Sequence, residues 1–333
     1  MAVARVWYPG RVGLLGEHCD WAGGTSLTIP TPMGVEVRAE SARGGVLVRS
    51  ELEGELVEDH FPIASGAPVR GPLRFVPAIV DHLLELNLEL KPAEIWVRSD
   101  LPPGRGLSSS AAFILGVVDA WTRLSGYALG GRELAEAAYQ IERRHLGVAC
   151  GRLDQIACAG ARPLLLQWDT NGRVVHSMPL TPFGTLHLVV AVMARPRNTP
   201  LILETLNRGY RSPIGDRHGD AVREAIAEFG AAAERGAHAL QTGDAPALGV
   251  LMNAVQRIYD SNLAGNFTAL HAPKLNQTIA LLRTKSSLGA KFSGAGGDGS
   301  VVALFGDQSA ARGAAIDLEQ RGFTAWYIPL SAV

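Results

Sequence analysis

The stretch LPPGRGLSSSAAF, residues 101–113, strongly limits the local fold. It follows AEIWVRSD, which alternates like a strand, and precedes ILGVVDAWTRL, whose apolar residues share one helical face. The stretch has glycines and serines but no lysine, so it departs from the lysine-bearing phosphate loop. A glycine turn that opens a helix still offers unpaired N–H groups to an anion. The sequence therefore predicts an anion site here, with an ordinary serine helix cap as the alternative.

A second glycine-rich stretch, PGRVGLLGEHCDWAGG, begins at Pro9. It collects Arg11, Glu17, His18 and Asp20 in one turn-rich segment. Such a segment is either a polar loop between strands or part of a functional site, because loops often carry binding and catalytic residues.

The third stretch, GAGGDG at 294–299, matches the spacing G-x-G-x-x-G of dinucleotide-binding proteins. That fingerprint requires a helix directly after the glycines. Here the glycines precede SVVALF, an apolar run rich in β-branched residues, which is typical of a strand. The pattern therefore indicates a tight turn or the wall of a site between two strands, and it does not favour a dinucleotide fold.

Apolar periodicity predicts short strands and helices before Pro182, including a helix over 131–146 and a hairpin joined at Asn171 and Gly172. After Pro182 we expect a buried strand, long helices, two strands, a helix and a last strand. The long helices are predicted at 216–235, 245–260 and 272–287. This order predicts an α+β protein of two domains, residues 1–182 and 183–333.

Composition excludes several classes of protein. The 333 residues are 47% hydrophobic and 19% charged, with a net charge of −1, which gives no electrostatic reason to expect nucleic-acid or anionic-membrane binding. No signal peptide or membrane-spanning run is apparent. The cysteines predict reduced thiols in a cytoplasmic protein and lack the spacing of a zinc site; they are Cys19, Cys150 and Cys158. Four other histidines are expected at surface or satisfied polar positions: His60, His82, His187 and His271.

Together, the three glycine-rich stretches resemble the motifs of the GHMP kinases. LPPGRGLSSSAA is similar to the family's phosphate loop, and KFSGAGGDGS to its C-terminal glycine motif. GRVGLLGEHCDWAGG and CGRLDQ are most similar to the galactokinase branch. The first of these departs from that branch's signature at Gly13, Cys19, Trp21 and Ala22, beside the residues implied to contact the sugar.

The resemblance implies an N-terminal α/β domain, a ferredoxin-like C-terminal domain and an active site between them. It also implies ATP-dependent transfer of the γ-phosphate to the anomeric hydroxyl of galactose or a galactose-like sugar. The alternatives are L-arabinose, a uronic acid, or a catalytically inactive relative that senses sugar and ATP. A uronate would need an extra cation, for which Arg105, Arg195, Arg197, Arg208 and Arg211 are available. The family is usually monomeric or homodimeric.

The resemblance assigns Asp154 as catalytic base and Arg11 as its partner, which also offsets charge on the transferred phosphoryl group. It implies that Ser110 and Glu142 bind Mg²⁺, which favours few protein oxygens beside phosphates and water. The alternatives are a helix cap for Asp154, a strand-edge ion pair for Arg11 and a solvated arginine partner for Glu142.

The remaining implied residues fall into three groups. The residues implied to contact the sugar are Glu17, His18, Asp20, Gly151 and Tyr210. The residues implied to bind ATP are Pro103, Gly104, Arg105, Gly106, Leu107, Ser108, Ser109, Ser110, Ala111, Gly294, Ala295, Gly296 and Gly297. Phe75 and Val76 are candidates for the adenine pocket, and Asp298 is expected to cap its own turn and face solvent.

Overall fold

The structure, a computed structural model, describes residues 3–52, 55–193 and 198–331. None of the helices in these ranges is long and apolar enough to cross a membrane. The strands are β1 (Val3–Leu15), β2 (Gly24–Ser41), β3 (Val46–Leu52), β4 (Glu55–Phe61), β5 (Ala93–Ser99), β6 (Leu164–Trp168), β7 (Val174–Pro179), β8 (Thr185–Val192), β9 (Gly289–Ser293), β10 (Ser300–Phe305) and β11 (Thr324–Ser331). The α-helices are α1 (Cys19–Ala22), α2 (Phe75–Glu85), α3 (Ser109–Ser125), α4 (Gly131–Gln140), α5 (Leu153–Gly160), α6 (Thr199–Tyr210), α7 (Arg217–Thr242), α8 (Ala245–Ile258), α9 (Pro273–Thr284) and α10 (Gln308–Gln320).

The chain forms two compact units that interleave along the sequence. The first unit contains Met1–Arg11, Pro30–Pro103 and Ser108–Ala161, and the second contains Val12–Ile29, Gly104–Leu107 and Arg162–Val333. Strands β1 and β2 and the loop before α3 each contribute to both units. This division differs from a single cut near residue 182, and the domain boundary at that residue stays a prediction.

In the first unit, the C-terminal part of β2 pairs with β5 in antiparallel register, β5 pairs with β3 in parallel, and β3 pairs with β4. Inward residues of β5 alternate with exposed ones, as expected for a strand with one buried face. Helix α3 is almost entirely buried and packs on this sheet. A Cβ at Gly116 would lie 2.6 Å from Val37 Cγ2, so only glycine permits so close an approach.

In the second unit, the first residues of β2 pair with β6, and β6 continues into β7 through a turn. Asp169 accepts backbone hydrogen bonds from Asn171 and Arg173, and Gly172 has φ of 69°, which confirms the predicted hairpin. A separate antiparallel sheet has the order β11-β8-β10-β9. Its strands and α10 follow the predicted order, which confirms the predicted α+β class.

The predicted long helices are confirmed as α7, α8 and α9, with shifted ends. Asp216 and Asp244 start α7 and α8 because each carboxylate accepts a backbone N–H from the first turn. Helix α6 was not predicted, because it buries only two residues, Ile202 and Leu206, and so carries little periodic signal. The predicted helix over 131–146 ends as an α-helix at Gln140 and continues as a π-helical segment, Ile141–His145.

Candidate active site

Within the first unit, Arg11 and Asp154 form a close ion pair. Arg11 donates to Asp154 Oδ1 from Nε at 2.9 Å and from Nη2 at 2.5 Å. The side chain of Arg11 is 6% exposed, whereas that of Asp154 is 35% exposed. The guanidinium of this β1 residue is thus fixed, and the carboxylate that it orients remains accessible.

Asp154 lies in the first turn of α5, not at its cap. The N-cap residue is Arg152, and no side chain makes the cap hydrogen bond. The cap alternative for Asp154 is therefore wrong, and so is the strand-edge alternative for Arg11, whose side chain is buried. A carboxylate in the first turn is still favoured there by the helix dipole.

Glu142 is buried beside this pair, at 5% exposure, on the π-helical segment Ile141–His145. Gln155 Nε2 donates to Glu142 Oε2. The pKa of Glu142 is raised to about 7, mainly by burial and also by the negative charge of Asp154, whereas hydrogen bonds from Ser110 and Gln155 limit the rise. The solvated-partner alternative for Glu142 is wrong. Ser110, Glu142 and Asp154 thus present oxygens in one part of the unit.

The loop that opens α3 has a backbone of positive φ angles. Gly104 has φ of 69°, Gly106 of 82° and Ser108 of 61°. Ser108 occupies the N-cap position of α3, but its side chain makes no cap hydrogen bond, and its buried Oγ has no hydrogen-bond partner among the described residues. The alternative of an ordinary serine side-chain cap is therefore wrong for Ser108. A buried hydroxyl without a partner fits a site whose acceptor comes from a ligand.

The remaining residues of this loop lie around the helix start. Arg105 Nη1 donates to the carbonyl of Met193 at 2.8 Å, in the second unit. Ser109, Ser110 and Ala111 begin α3, where backbone N–H groups lack partners within the helix. Pro103 ends a segment of the first unit, and Leu107 is fully buried.

The C-terminal glycine loop joins β9 to β10 in the second unit, so the predicted strand–loop–strand arrangement is confirmed. Gly294, Gly296 and Gly297 have φ of 78°, 87° and 66°. Gly297 donates its N–H to Tyr259 Oη at 2.7 Å, and Tyr259 donates in turn to the carbonyl of Leu270 at 2.7 Å. Buried Tyr259 therefore holds the loop in place by this hydrogen bond. Ala295, between the glycines, is half-buried.

Asp298 has a role different from the one expected. Its Oδ1 accepts the backbone N–H of Leu275 at 2.9 Å, in the first turn of α9. The side chain is half-buried and caps another helix rather than its own turn. The carboxylate therefore stabilises the N-terminus of α9.

Lys291, which the motif analysis missed, lies in the second unit on β9 and is fully buried. It donates to Glu17 Oε1 and to the carbonyl of Phe292. A lone lysine in the apolar strand GAKFS was a usable signal, because a buried ammonium requires a partner. The pair places Glu17 beside the strand that leads into the glycine loop.

Four of the five residues implied to contact the sugar lie in the second unit. His18 has φ of 69° and precedes the short helix α1, which includes Asp20. The ring of Trp21 meets His18 and Tyr210 edge-on, at centroid distances of 5.7 and 5.6 Å. Tyr210 Oη also donates to the carbonyl of Ala22 at 2.8 Å. The structure therefore brings Tyr210 to the GEHCDW segment, whereas Gly151 belongs to the first unit.

The remaining candidates are the arginines considered for a uronate and the two residues considered for the adenine pocket. Arg208 and Arg211 are exposed, and Arg195 and Arg197 lie outside the described residues. Phe75 is half-buried, packs against Phe113 at 5.3 Å between centroids and has Arg74 over its ring at 4.9 Å. Val76 is fully buried, so it offers no surface to a nucleotide.

The comparisons with known proteins agree with this fold. The N-terminal domain model of the GHMP kinases matches residues 74–161, and the C-terminal model of the same family matches 237–321. Together these matches cover just over half of the chain. The protein belongs to the GHMP kinase family, whose members use ATP as co-substrate.

Two relatives illustrate the range of similarity. A mevalonate kinase of Aeropyrum pernix is 26% identical over 325 residues, which cover 97% of this chain and 95% of that protein. A galactokinase of Chloroflexus aurantiacus is 34% identical over 155 residues, which cover 45% of this chain and 39% of that protein. Of these two relatives, the one of higher identity is matched over less than half of this chain.

Solved structures share the fold over nearly the whole chain. Lactococcus lactis galactokinase complexed with galactose has a TM-score of 0.80 at 20% identity, covering 99% of this chain and 93% of that one. The Methanococcus jannaschii mevalonate kinase has a TM-score of 0.79 at 17% identity, covering 99% and 98%. At these identities the likeness establishes the fold.

Proposed function

We propose that this kinase transfers the γ-phosphate of ATP to the anomeric hydroxyl of a neutral monosaccharide, galactose or a galactose-like sugar. The observation that carries the proposal is the Arg11–Asp154 pair beside the buried Glu142. A carboxylate fixed by an arginine and accessible to solvent suits proton removal from an attacking hydroxyl.

In this proposal, Asp154 accepts the proton of the sugar hydroxyl as that oxygen attacks the γ-phosphorus. Arg11 Nε and Nη2 both donate to Oδ1 of Asp154, so we assign Oδ2 as the oxygen that takes the proton. Arg11 orients the carboxylate before transfer and offsets negative charge on the phosphoryl group during transfer.

Ser110 and Glu142 are proposed to hold Mg²⁺. Their donor atoms are oxygens, which Mg²⁺ prefers, and the raised pKa of Glu142 marks a buried carboxylate that a cation would stabilise. When bound, the ion would neutralise charge on the phosphates of ATP. The protein's part is to orient these two oxygens from α3 and the π-helical segment.

Backbone N–H groups at the start of α3 are proposed to bind phosphate oxygens of ATP. The loop Gly294–Gly297 of the second unit keeps its predicted role as a phosphate-binding loop. The positive φ angles of these loops and the unpartnered Oγ of Ser108 support this assignment. No lysine is required, because helix N–H groups, Arg11 and the proposed cation provide the positive field.

A neutral sugar suits the residues around GEHCDW. Glu17, His18 and Asp20 can accept or donate hydrogen bonds to hydroxyls, and Trp21 and Tyr210 provide aromatic surface. Glu17 takes up the charge of Lys291, so this pair adds no net positive charge to attract a carboxylate substrate. A uronic acid, which carries such a carboxylate, is disfavoured for this reason.

Mevalonate is the second candidate, because a mevalonate kinase is similar to this protein over nearly the whole chain. It differs from a sugar in carrying a carboxylate. A coupled ADP-release assay on galactose, L-arabinose, glucuronate, galacturonate and mevalonate distinguishes the candidates. We expect turnover with a neutral sugar and a ³¹P signal of an anomeric phosphate; turnover with mevalonate alone would replace the proposal.

The base assignment is tested by Asp154→Asn. We expect kcat to fall by roughly 10²–10⁴-fold, because general base catalysis contributes about that factor, while ATP binding persists. Asp100→Asn, an exposed aspartate of the same unit, is the matched control and should keep full activity. Retained turnover in Asp154→Asn would refute the role of this residue, and ATP binding without turnover in the wild type would favour the inactive regulator.

A further inference from the structure

Three side chains of the first unit meet away from Arg11 and Asp154. His82 and Glu85 lie three residues apart on the last turns of α2, and His145 ends the π-helical segment. One ligand atom of each residue, a ring nitrogen or a carboxylate oxygen, lies within 4.8 Å of the others. The two imidazole rings are 5.4 Å apart between centroids and inclined by 72°.

The two histidines keep buried nitrogens without hydrogen-bond partners among the described residues. His82 is 5% exposed, and its Nδ1 has no partner. The side chain of His145 is 11% exposed, and its Nε2 lies 3.6 Å from Glu85 Oε2, too far for a hydrogen bond. A surface or satisfied position, as expected from the sequence, is therefore wrong for His82. Buried polar atoms without partners require an explanation.

A simple ion pair explains this cluster poorly. Glu85 Oε2 is also 3.4 Å from Arg144 Nη1, so the carboxylate already has a cation nearby. The two rings meet edge to face, and the buried Nδ1 of His82 and Nε2 of His145 remain available to a third partner.

We propose that His82, Glu85 and His145 bind a transition-metal cation of the Zn²⁺ class. Two imidazoles and one carboxylate are a common protein set for zinc, with water or another ligand in the remaining position. Imidazole nitrogens distinguish this site from the oxygen donors proposed for Mg²⁺ at Ser110 and Glu142. The site stands independently of the proposed sugar kinase activity.

The site would join two elements that are distant in sequence. A cation held by α2 and by His145 would fix the π-helical segment that also carries Glu142, three residues earlier. These ligands would act as positioning residues, since none of them is proposed to touch substrate or ATP. Binding of the cation to the folded state alone would also stabilise the protein.

The test uses the full-length, tag-free protein after chelator treatment, titrated with Zn²⁺ in the presence of Mg²⁺ and followed by metal analysis of the dialysed sample. We expect one tightly bound zinc per chain and a higher Tm. Replacing zinc with Co²⁺ should give visible absorption bands of a low-coordinate nitrogen and oxygen site.

Glu85→Gln and His145→Gln should each weaken binding by at least about tenfold and remove the rise in Tm. Glu85 is 47% exposed at its side chain, so its variant should fold normally. His60→Gln, at an exposed histidine of the same unit, is the control and should bind zinc as the wild type does. Substoichiometric binding by the wild type would overturn the proposal. So would zinc binding by Glu85→Gln and His145→Gln that is as tight as that of the wild type.

Discussion

Lys291 and Glu17 form the most deeply buried ion pair in the described structure, with side-chain exposures of 0% and 2%. Their charges attract each other strongly away from water, but each has lost its hydration. Such a pair depends on both partners, because either charge alone would remain buried and uncompensated.

Lys291→Met should therefore lower the free energy of unfolding by about 3–5 kcal/mol. Lys285→Met is the matched control, because Lys285 pairs with Asp317 at 3.3 Å at the surface, where ion pairs contribute about 0–1 kcal/mol. Urea titrations measure both changes. The double variant Lys291→Met/Glu17→Gln should recover part of the lost free energy of unfolding. Equal losses in Lys291→Met and Lys285→Met would contradict the buried pair.

Glu142 gives a pH-dependent prediction for the metal-free protein. Its folded pKa is about 7 against an ordinary value of 4.5, because burial disfavours the charged form. Between these values the folded state binds more protons than the unfolded state, so this group's contribution to stability falls as pH rises, by about 3 kcal/mol in total.

Glu142→Gln removes this titration, so its stability relative to the wild type should increase between pH 5 and pH 8. Urea unfolding in chelator across that range measures the difference. Glu319→Gln, an exposed substitution, should follow the wild-type slope. Parallel curves for Glu142→Gln and the wild type would contradict the buried, protonated state.

The sequence predicted the contact between Arg11 and Asp154, but it did not predict the contacts of Lys291 and Asp298. Arg11 and Asp154 lie 143 positions apart, and only their motifs identified them as partners. The partner of Lys291 is 274 positions away, so no local pattern could indicate it. Local reasoning also assigned Asp298 to its own turn, because the start of α9 is close to it only in space.

At the scale of elements, the two glycine-rich loops that are proposed to bind phosphate are supported differently. The start of α3 depends on positive backbone angles, whereas the loop Gly294–Gly297 is held by Tyr259. A Cβ at Gly296 would lie 2.7 Å from Tyr259 Cε2, and φ there is +87°. Both facts require glycine at this position.

Gly296→Ala should destabilise the protein by roughly 1–3 kcal/mol and weaken ATP binding, because the backbone is strained and the tyrosine must move. The control is Gly313→Ala on the exposed face of α10, where a Cβ meets nothing within 4 Å. That variant should stabilise the protein by about 0.5–1 kcal/mol. Thermal unfolding and ATP titration check both, and unchanged ATP affinity in Gly296→Ala would contradict a phosphate role.

Strands, the hairpin and the long helices were predictable because their apolar periods are strong. The π-helical segment Ile141–His145 was not, since its residues continue the apolar face of α4 and only tertiary packing selects the wider turn. The α-helical interpretation of 131–146 therefore placed Glu142 on the correct element but missed the local geometry that buries it.

At the scale of the whole molecule, the interleaved units predict that residues 1–182 do not fold alone. Within the second unit, Leu15 and Leu27 are buried under α7, where a Cβ at Gly236 would lie 2.3 Å from Leu15 Cδ1. Thr25 also donates to Glu234 at 2.8 Å. Truncation at residue 182 would expose this surface.

The fragment 1–182 should therefore lack a cooperative thermal transition and bind the dye ANS, as partly folded chains with exposed apolar surface do. The full-length chain, measured under the same conditions, is the control. A cooperative transition in the fragment, without dye binding, would instead support residue 182 as the boundary of an independent domain.

The placement of Val12–Ile29 in the second unit also bears on how the chain folds during synthesis. This segment leaves the ribosome early, but its packing partner α7 ends at Thr242. At typical elongation rates, the segment waits on the order of 10–40 s before that helix is complete. During this interval its apolar residues need protection, so the nascent chain is expected to depend on chaperones more than a protein whose units follow one another in sequence.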